Sequence, residues 1–232
     1  MPNLSSHQKS QLAVINKIER RVKNNTMNFS TVEPVSDYDT DNRMSLTSVH
    51  FPRLDLLEKI QNKIISPLKE IQPEHYYYKN SSLHLTIKNI RVINDPPNFN
   101  KNDIKKVKEV FTRVIPKHKK FKVYFYRLLL FPANLALVGT TEPELDDLVL
   151  ELDRELKKSG VPDDKKYANK KYFFSNMTLA RFYSTPNEEF KAKVSDLSKQ
   201  INFKPYVIDS VSLVEANAIM VSCEEVGEWG LT

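Results

Sequence analysis

Two stretches decide the fold: residues 81–93, SSLHLTIKNIRVI, and residues 171–183, KYFFSNMTLARFY. Each reads as a β-strand, with largely alternating apolar and polar side chains. A short pattern recurs inside them, Leu83-His84-Leu85-Thr86-Ile87 in the first and Ser175-Asn176-Met177-Thr178-Leu179 in the second. Alternation places His84, Thr86 and Lys88 on one face of their strand, with Leu85 and Ile87 behind. It likewise groups Asn176, Thr178 and Ala180, with Met177 and Leu179 on the opposite face.

Working outward, the same order of elements surrounds both copies. In the first half, MSLTSVHF from Met44 reads as a strand, and Leu54, Leu57, Ile60, Ile64 and Leu68 fall at helical spacing. After residues 81–93 comes a helix from Asp103, capped by Asn102 and carrying Ile104, Val107, Phe111 and Val114 on one stripe, then the strand FKVYFYRLLLF. The second half opens on the strand NLALVGT. Thr141 and Glu144 read as a capping box before Leu145, Leu148, Leu152 and Leu156. After residues 171–183, a second box at Thr185–Glu188 opens a helix with Phe190, Val194, Leu197 and Ile201. The strands YVIDSVSLVEA and AIMVSCEEV follow. Strand, helix, strand, helix, strand therefore occurs twice, which predicts an α+β domain over residues 44–232 built as a pseudo-twofold pair of lobes. The lobes fall at roughly 44–131 and 132–226, with exchange of strands between them left open. Residues 1–43 read as an N-terminal extension, one amphipathic helix (Leu12, Ile15, Ile18, Val22) and a polar connector.

A chain of 232 residues with 40% hydrophobic content can bury a core of this size, and four glycines exclude collagen-like and Gly-rich classes. The single Cys223 excludes intrachain disulfides and multi-thiolate metal sites, so no metal and no cofactor are expected. The start lacks the pattern of a secretory signal, and no apolar run reaches the length of a membrane span, so the expected address is cytoplasmic, with no membrane partner. Residues 101–127 hold ten basic and two acidic side chains, +8 against +6 for the whole chain. That segment suits a polyanion such as RNA, or is simply a solvated helix face and turn.

A hydroxyl two residues from an imidazole suits a phosphate ester, because the hydroxyl donates to a non-bridging oxygen while the imidazole moves a proton at the attacked or leaving oxygen. A lone His-x-Thr is a weak signal, and its repetition in matching elements strengthens it. If the two lobes set these strands side by side, an imidazole, an amide and two hydroxyls converge on one cleft.

With these motifs, residues 44–226 resemble the two-histidine phosphoesterase superfamily, which includes 2′-5′ RNA ligase-like RNA 2′,3′-cyclic phosphodiesterases. The resemblance rests on LHLTI, on FP followed by NLALVG, and on NMTLAR, which is similar to an H-x-T-L-A-R motif with its histidine replaced. It implies antiparallel sheets around a central cleft with helices outside. It also implies metal-independent hydrolysis or transfer at a 2′,3′-cyclic or 2′-5′ phosphodiester. The expected partner is an RNA end or small nucleotide, and the expected state is a monomer. By the same resemblance His84 matches the first catalytic histidine, Thr86 and Thr178 the phosphate-binding hydroxyls, and Arg181 the basic residue closing the second motif. Asn176 stands at the place of the second histidine.

An amide cannot transfer a proton near neutral pH. Three readings stay open: a degenerate member that binds phosphodiesters without efficient turnover, an enzyme in which another group or a water replaces the second imidazole, or a histidine exchanged for Asn176 to trap a ligand. The rival to an enzyme is a nucleotide- or RNA-binding module in which Asn176, Thr86, Thr178 and Lys88 simply hold phosphate. Lys88 is expected to contact phosphate, with a solvent-facing lysine as the alternative. Tyr76, Tyr77 and Tyr78 are candidates to stack a base, as are Tyr124, Tyr126, Phe173 and Tyr183, with core or rim packing as the alternative role for most of them. His50 and His75 read as structural, His118 as a solvated turn residue, Trp229 as a packing anchor and Cys223 as a buried or half-buried thiol.

Overall fold

A computed structural model describes residues 4–29 and 31–232. Strand β1 is Met44–His50, β2 Tyr76–Tyr77, β3 Leu85–Asn94, β4 Phe121–Leu130 and β5 Asn134–Thr141; β6 is Ser175–Arg181, β7 Tyr206–Ile208, β8 Ser210–Ala216 and β9 Cys223–Gly230. Helix α1 is Ser6–Lys23, α2 Leu54–Ile60, α3 Ser66–Lys69, α4 Lys101–Val114, α5 Glu144–Lys158 and α6 Glu188–Gln200. One π turn, Gln61–Ile65, joins α2 to α3.

The strands form two antiparallel sheets, β3-β1-β8-β9 and β2-β6-β5-β4-β7, in a bilobal α+β fold. The pseudo-twofold is visible in the orders: β3, β1, β8 and β9 correspond to β6, β5, β4 and β7. The sheets do not coincide with the halves 44–131 and 132–226. The boundary between residues 131 and 132 falls in the turn of a hairpin, where Phe131 N–H donates to Asn134 O at 2.8 Å and β4 pairs along its length with β5. A short turn makes that pairing cheap in chain entropy, so β4 stays with its sequence neighbour. In return β8 joins β1, and β9 pairs with β8 at the edge. The run YVIDSVSLVEA, read as one strand, breaks at Asp209 and passes from one sheet to the other as β7 and β8.

Local signals shift by a residue or more at several helix ends. Asn100, not Asn102, caps α4, and its reciprocal partner is Asp103. No Thr141 box opens α5; Glu144 instead accepts from His118 Nδ1 at 2.7 Å and from Lys119 N–H at 3.0 Å. His118 is therefore buried between Glu144 and Glu151, not solvated. Cys223 is exposed. Trp229 packs edge-on against Phe111 and donates to Thr112 Oγ1 at 3.0 Å.

Helix α1 lies on β5, with Ile15 and Ile18 against Leu129, Ala136 and Val138. Gln11 is fully buried: its Nε2 donates to Thr141 Oγ1 at 2.7 Å and its Oε1 accepts from Thr141 N–H at 2.8 Å. His7 Nε2 donates to Asp146 Oδ2 at 2.7 Å. These buried contacts bind the helix of the extension to the α+β domain.

β-Bulges decide which side chains of the two motif strands reach the same face. In β3 the partners run Ser48↔Lys88 and then Val49↔Thr86, so Ile87 is an extra residue. In β6 they run Leu135↔Ala180 and then Ala136↔Thr178, so Leu179 is extra. One inserted residue reverses strand parity. Lys88 is thereby corrected: it does not share a face with His84 and Thr86 but turns away, 1% exposed at its side chain, onto Asp163 and onto Asp153 at 3.4 Å. Lys88→Met is expected to lower unfolding stability by about 3 kcal/mol, because it leaves the largely buried Asp163 without its cation while Asp153 keeps Lys157. A urea titration checks this through its midpoint.

Candidate functional site

The two motif strands face each other as β3 and β6, and between them opens a cleft of about 820 Å³, within the usual range for small-ligand sites. His84, Thr86, Asn176, Thr178 and Arg181 all line it. The bulges also bring Asn89 and Arg181 to the cleft as pseudo-equivalent residues, in place of Lys88 and Ala180.

His84 stands at the mouth of β3, just after a turn in which Ser82 N–H donates to Lys79 O at 2.9 Å. That turn aims the Ser82 carbonyl back at the imidazole, 2.8 Å from Nδ1. A carbonyl only accepts, so Nδ1 carries the proton and Nε2 is the free lone pair left for the cleft. Burial pulls the imidazole down to about 4, the bond to Ser82 opposes that, and the Arg181 charge lowers it further. His84 is thus a neutral imidazole near pH 7.

Arg181 is buried, and its guanidinium is fixed through Nε, which donates to Tyr78 Oη at 2.9 Å and to Ala218 O at 3.1 Å. No carboxylate lies within salt-bridge distance of it among the described residues. A fixed cation without a counter-ion suits a phosphate. Tyr78 is corrected here: it is buried, donates to Ala218 O at 2.6 Å, and holds Arg181 from behind. Its ring packs against Tyr76 and presents no surface to a base. The cleft's aromatic walls come instead from Phe29, Phe131, Tyr167, Tyr172, Phe173 and Phe174.

Lys165 escaped the sequence reading. It lies in the loop after α5, half-buried, and lines the same cleft. Burial and repulsion from Arg181 pull its ammonium down to about 8, against the opposing pull of Asp163 and Asp164. The only signal in the sequence is an acid–base run, DDKK, which resembles any solvated turn. The extension was missed as well: Phe29, Thr31 and Glu33 form part of the cleft wall, with Arg43 held on Asp41 at 2.8 Å. None of residues 101–127 lines the cleft, so its basic side chains are Arg43, Lys165, Lys166 and Arg181, not those of the basic segment. No cluster of three His, Cys, Asp or Glu side chains able to hold a metal occurs among the described residues. No helix among them is long and apolar enough to cross a membrane.

Solved structures define the class of fold. The chain superposes on apo LigT of E. coli with a TM-score of 0.56 at 16% identity, covering 82% of this chain and 99% of that one. A structure described as a phosphoesterase matches with a TM-score of 0.54 at 14% identity, over 82% and 99%. ATU0111 of Agrobacterium tumefaciens, described as a conserved protein of unknown function, matches at 0.58 and 12%, over 90% and 97%. No protein family matches the sequence, and no curated protein does. The fold is that of LigT, and it is consistent with the two-histidine phosphoesterase resemblance of the motifs. LigT itself has been crystallised with phosphate, ATP, 3′-AMP and NADP+.

Proposed function

We propose that this protein is a metal-independent phosphodiesterase acting at a 2′,3′-cyclic or 2′-5′ phosphodiester of an RNA end or small nucleotide, slowed because Asn176 cannot supply a proton. The observation that carries the reading is the His84 tautomer: a neutral imidazole, fixed through Nδ1, offers Nε2 to a cleft that also holds Arg181, Thr86 and Thr178. In this reading Nε2 takes the proton of the attacking water, Arg181 neutralises the non-bridging oxygens, and the two threonine hydroxyls donate to them. The complexes of LigT with phosphate and nucleotides support a nucleotide-sized ligand for a cleft of this shape. Phe29, Phe131, Tyr167 and Tyr172 are then the surfaces on which a base stacks. The reading takes residues 44–232 as the catalytic domain of a cytoplasmic monomer.

A second reading, a nucleotide-binding module without turnover, is favoured by Asn176 alone. Incubation with 2′,3′-cyclic nucleotides and 2′-5′ dinucleotides separates the two. Product formation abolished in His84→Ala supports the enzyme, whereas a raised melting temperature with no product at high protein concentration supports the module. Asn176→His is expected to raise hydrolysis of a 2′,3′-cyclic nucleotide by at least about tenfold, since it sets a second imidazole opposite His84. An unchanged rate in a folded variant that binds nucleotide would count against the assignment.

A further inference from the structure

Hydrolysis of an ordinary phosphodiester expels an alkoxide, which needs a proton as it leaves. His84 enters that reaction unprotonated, and Asn176 has no proton to give. The loop after α5 supplies a candidate by how it is tied down. Arg91 Nη1 donates to Pro162 O, Lys88 Nζ to Asp163 Oδ2, and Val92 N–H to Asp164 Oδ1 at 2.7 Å, so three consecutive loop residues are bound to β3. Tyr167 closes the loop from the other side, donating to Asn89 O at 3.4 Å. Between these ties lie Lys165 and Lys166, and Lys165 lines the cleft with His84, Asn176 and Arg181. Its neighbouring carboxylates are occupied by β3, and no ion pair to Lys165 forms among the described residues.

We propose that Lys165 is the second proton-transfer group of the cleft, protonating the leaving oxygen in the role that Asn176 cannot fill. The proposal rests on the phosphodiesterase reading. In the step, a water oxygen bonds to phosphorus while His84 Nε2 takes its proton. The P–O bond to the ribose 2′ or 3′ oxygen breaks, and that oxygen receives a proton from the Lys165 ammonium. The products are a phosphomonoester and a ribose hydroxyl, after which His84 loses its proton to solvent and Lys165 regains one. An ammonium that titrates near the working pH is suited to this role. The titratable and charged groups around it are Arg181 from β6, His84 at the start of β3, Asp163, Asp164 and Lys166 of its own loop, and Glu33 and Arg43 from the extension. Lys88, buried behind the loop, is then a positioning residue for Lys165.

The test compares the full-length wild type with Lys165→Met and Lys165→Arg on a 2′,3′-cyclic nucleotide, whose leaving group needs a proton. It repeats the comparison on thymidine 3′-(p-nitrophenyl phosphate), whose leaving group does not. Both variants are expected to lose about 10²-fold in kcat on the cyclic substrate and about tenfold or less on the aryl ester. The wild type should lose activity as pH rises through about 8, and this alkaline limb should vanish in Lys165→Arg. Equal losses on both substrates, or full turnover of the cyclic substrate by Lys165→Arg, would assign Lys165 to phosphate binding and overturn the proposal. If Lys165→Met does not fold, the Arg variant and the pH limb decide. A wild type that turns over neither substrate overturns the phosphodiesterase reading itself, a result distinct from active variants at residue 165.

Discussion

His84→Ala is expected to lower turnover of a 2′,3′-cyclic nucleotide by about 10³-fold, within the range a positioned general base contributes. The loss should fall on kcat, with nucleotide affinity largely kept, because Arg181 and the two threonines still hold phosphate. The wild-type pH profile carries a second signature. A base works only when unprotonated, and burial holds the His84 imidazole near 4, so kcat/KM should stay level on acidification to about pH 4 and fall below it. An unperturbed imidazole would give that limb near 6.5. The same shift bears on stability. The unfolded chain takes up the His84 proton as pH falls through about 6.5, and the folded protein only near 4. Between those values the unfolded state binds more protons, so this contribution is present above the window and is lost as pH falls through it. His84→Ala should flatten that part of a stability–pH curve measured in urea. An acid limb at the ordinary imidazole position, or full activity in the Ala variant, would remove His84 from the role of base.

Arg181→Met is expected to lower kcat/KM by about 10²-fold, the cost of removing one charged donor from the developing phosphate charge. Arg181→Lys should recover little of it. The guanidinium is fixed by Nε, which bonds Tyr78 Oη and Ala218 O, while its remaining N–H groups are the ones a phosphate can meet. A lysine ammonium cannot hold those two anchors and a bidentate oxyanion together. Steady-state kinetics of the three proteins checks this, and a lysine variant at the wild-type rate would show that only charge matters at this position.

The motifs placed His84, Thr86, Asn176 and Thr178 at one cleft because strand alternation holds across the single residue between the members of each pair. Beyond that span the sequence misleads. The bulges at Ile87 and Leu179 are backbone features set by pairing with β1 and β5, and neither residue type announces one. That is why Lys88 was assigned to the wrong face, and why only the resemblance, not the alternation, pointed to Arg181. Tyr78 looked like a stacking surface because a run of three tyrosines has no clear periodicity; the fold uses its hydroxyl as an internal support. Lys165 was hidden for a different reason. Its position depends on contacts between a loop and a strand distant in sequence, such as Lys88 with Asp163, and local patterning carries no information about them.

Because each sheet takes strands from both halves, assembly follows an order in time as the chain is synthesised. Strands β4, β5 and β6 are successive partners, so the part of the sheet that bears Asn176 can be assembled once residue 181 is free. The sheet bearing His84 must wait: β1 lies between β3 and β8, and its second neighbour is not made until residues 210–216. For most of synthesis one edge of β1 is therefore unpaired, a surface prone to pairing with other chains. His84 stands at the start of a strand of the sheet that closes last, so a nascent chain stalled short of β8 would have neither a finished cleft nor protection from its neighbours.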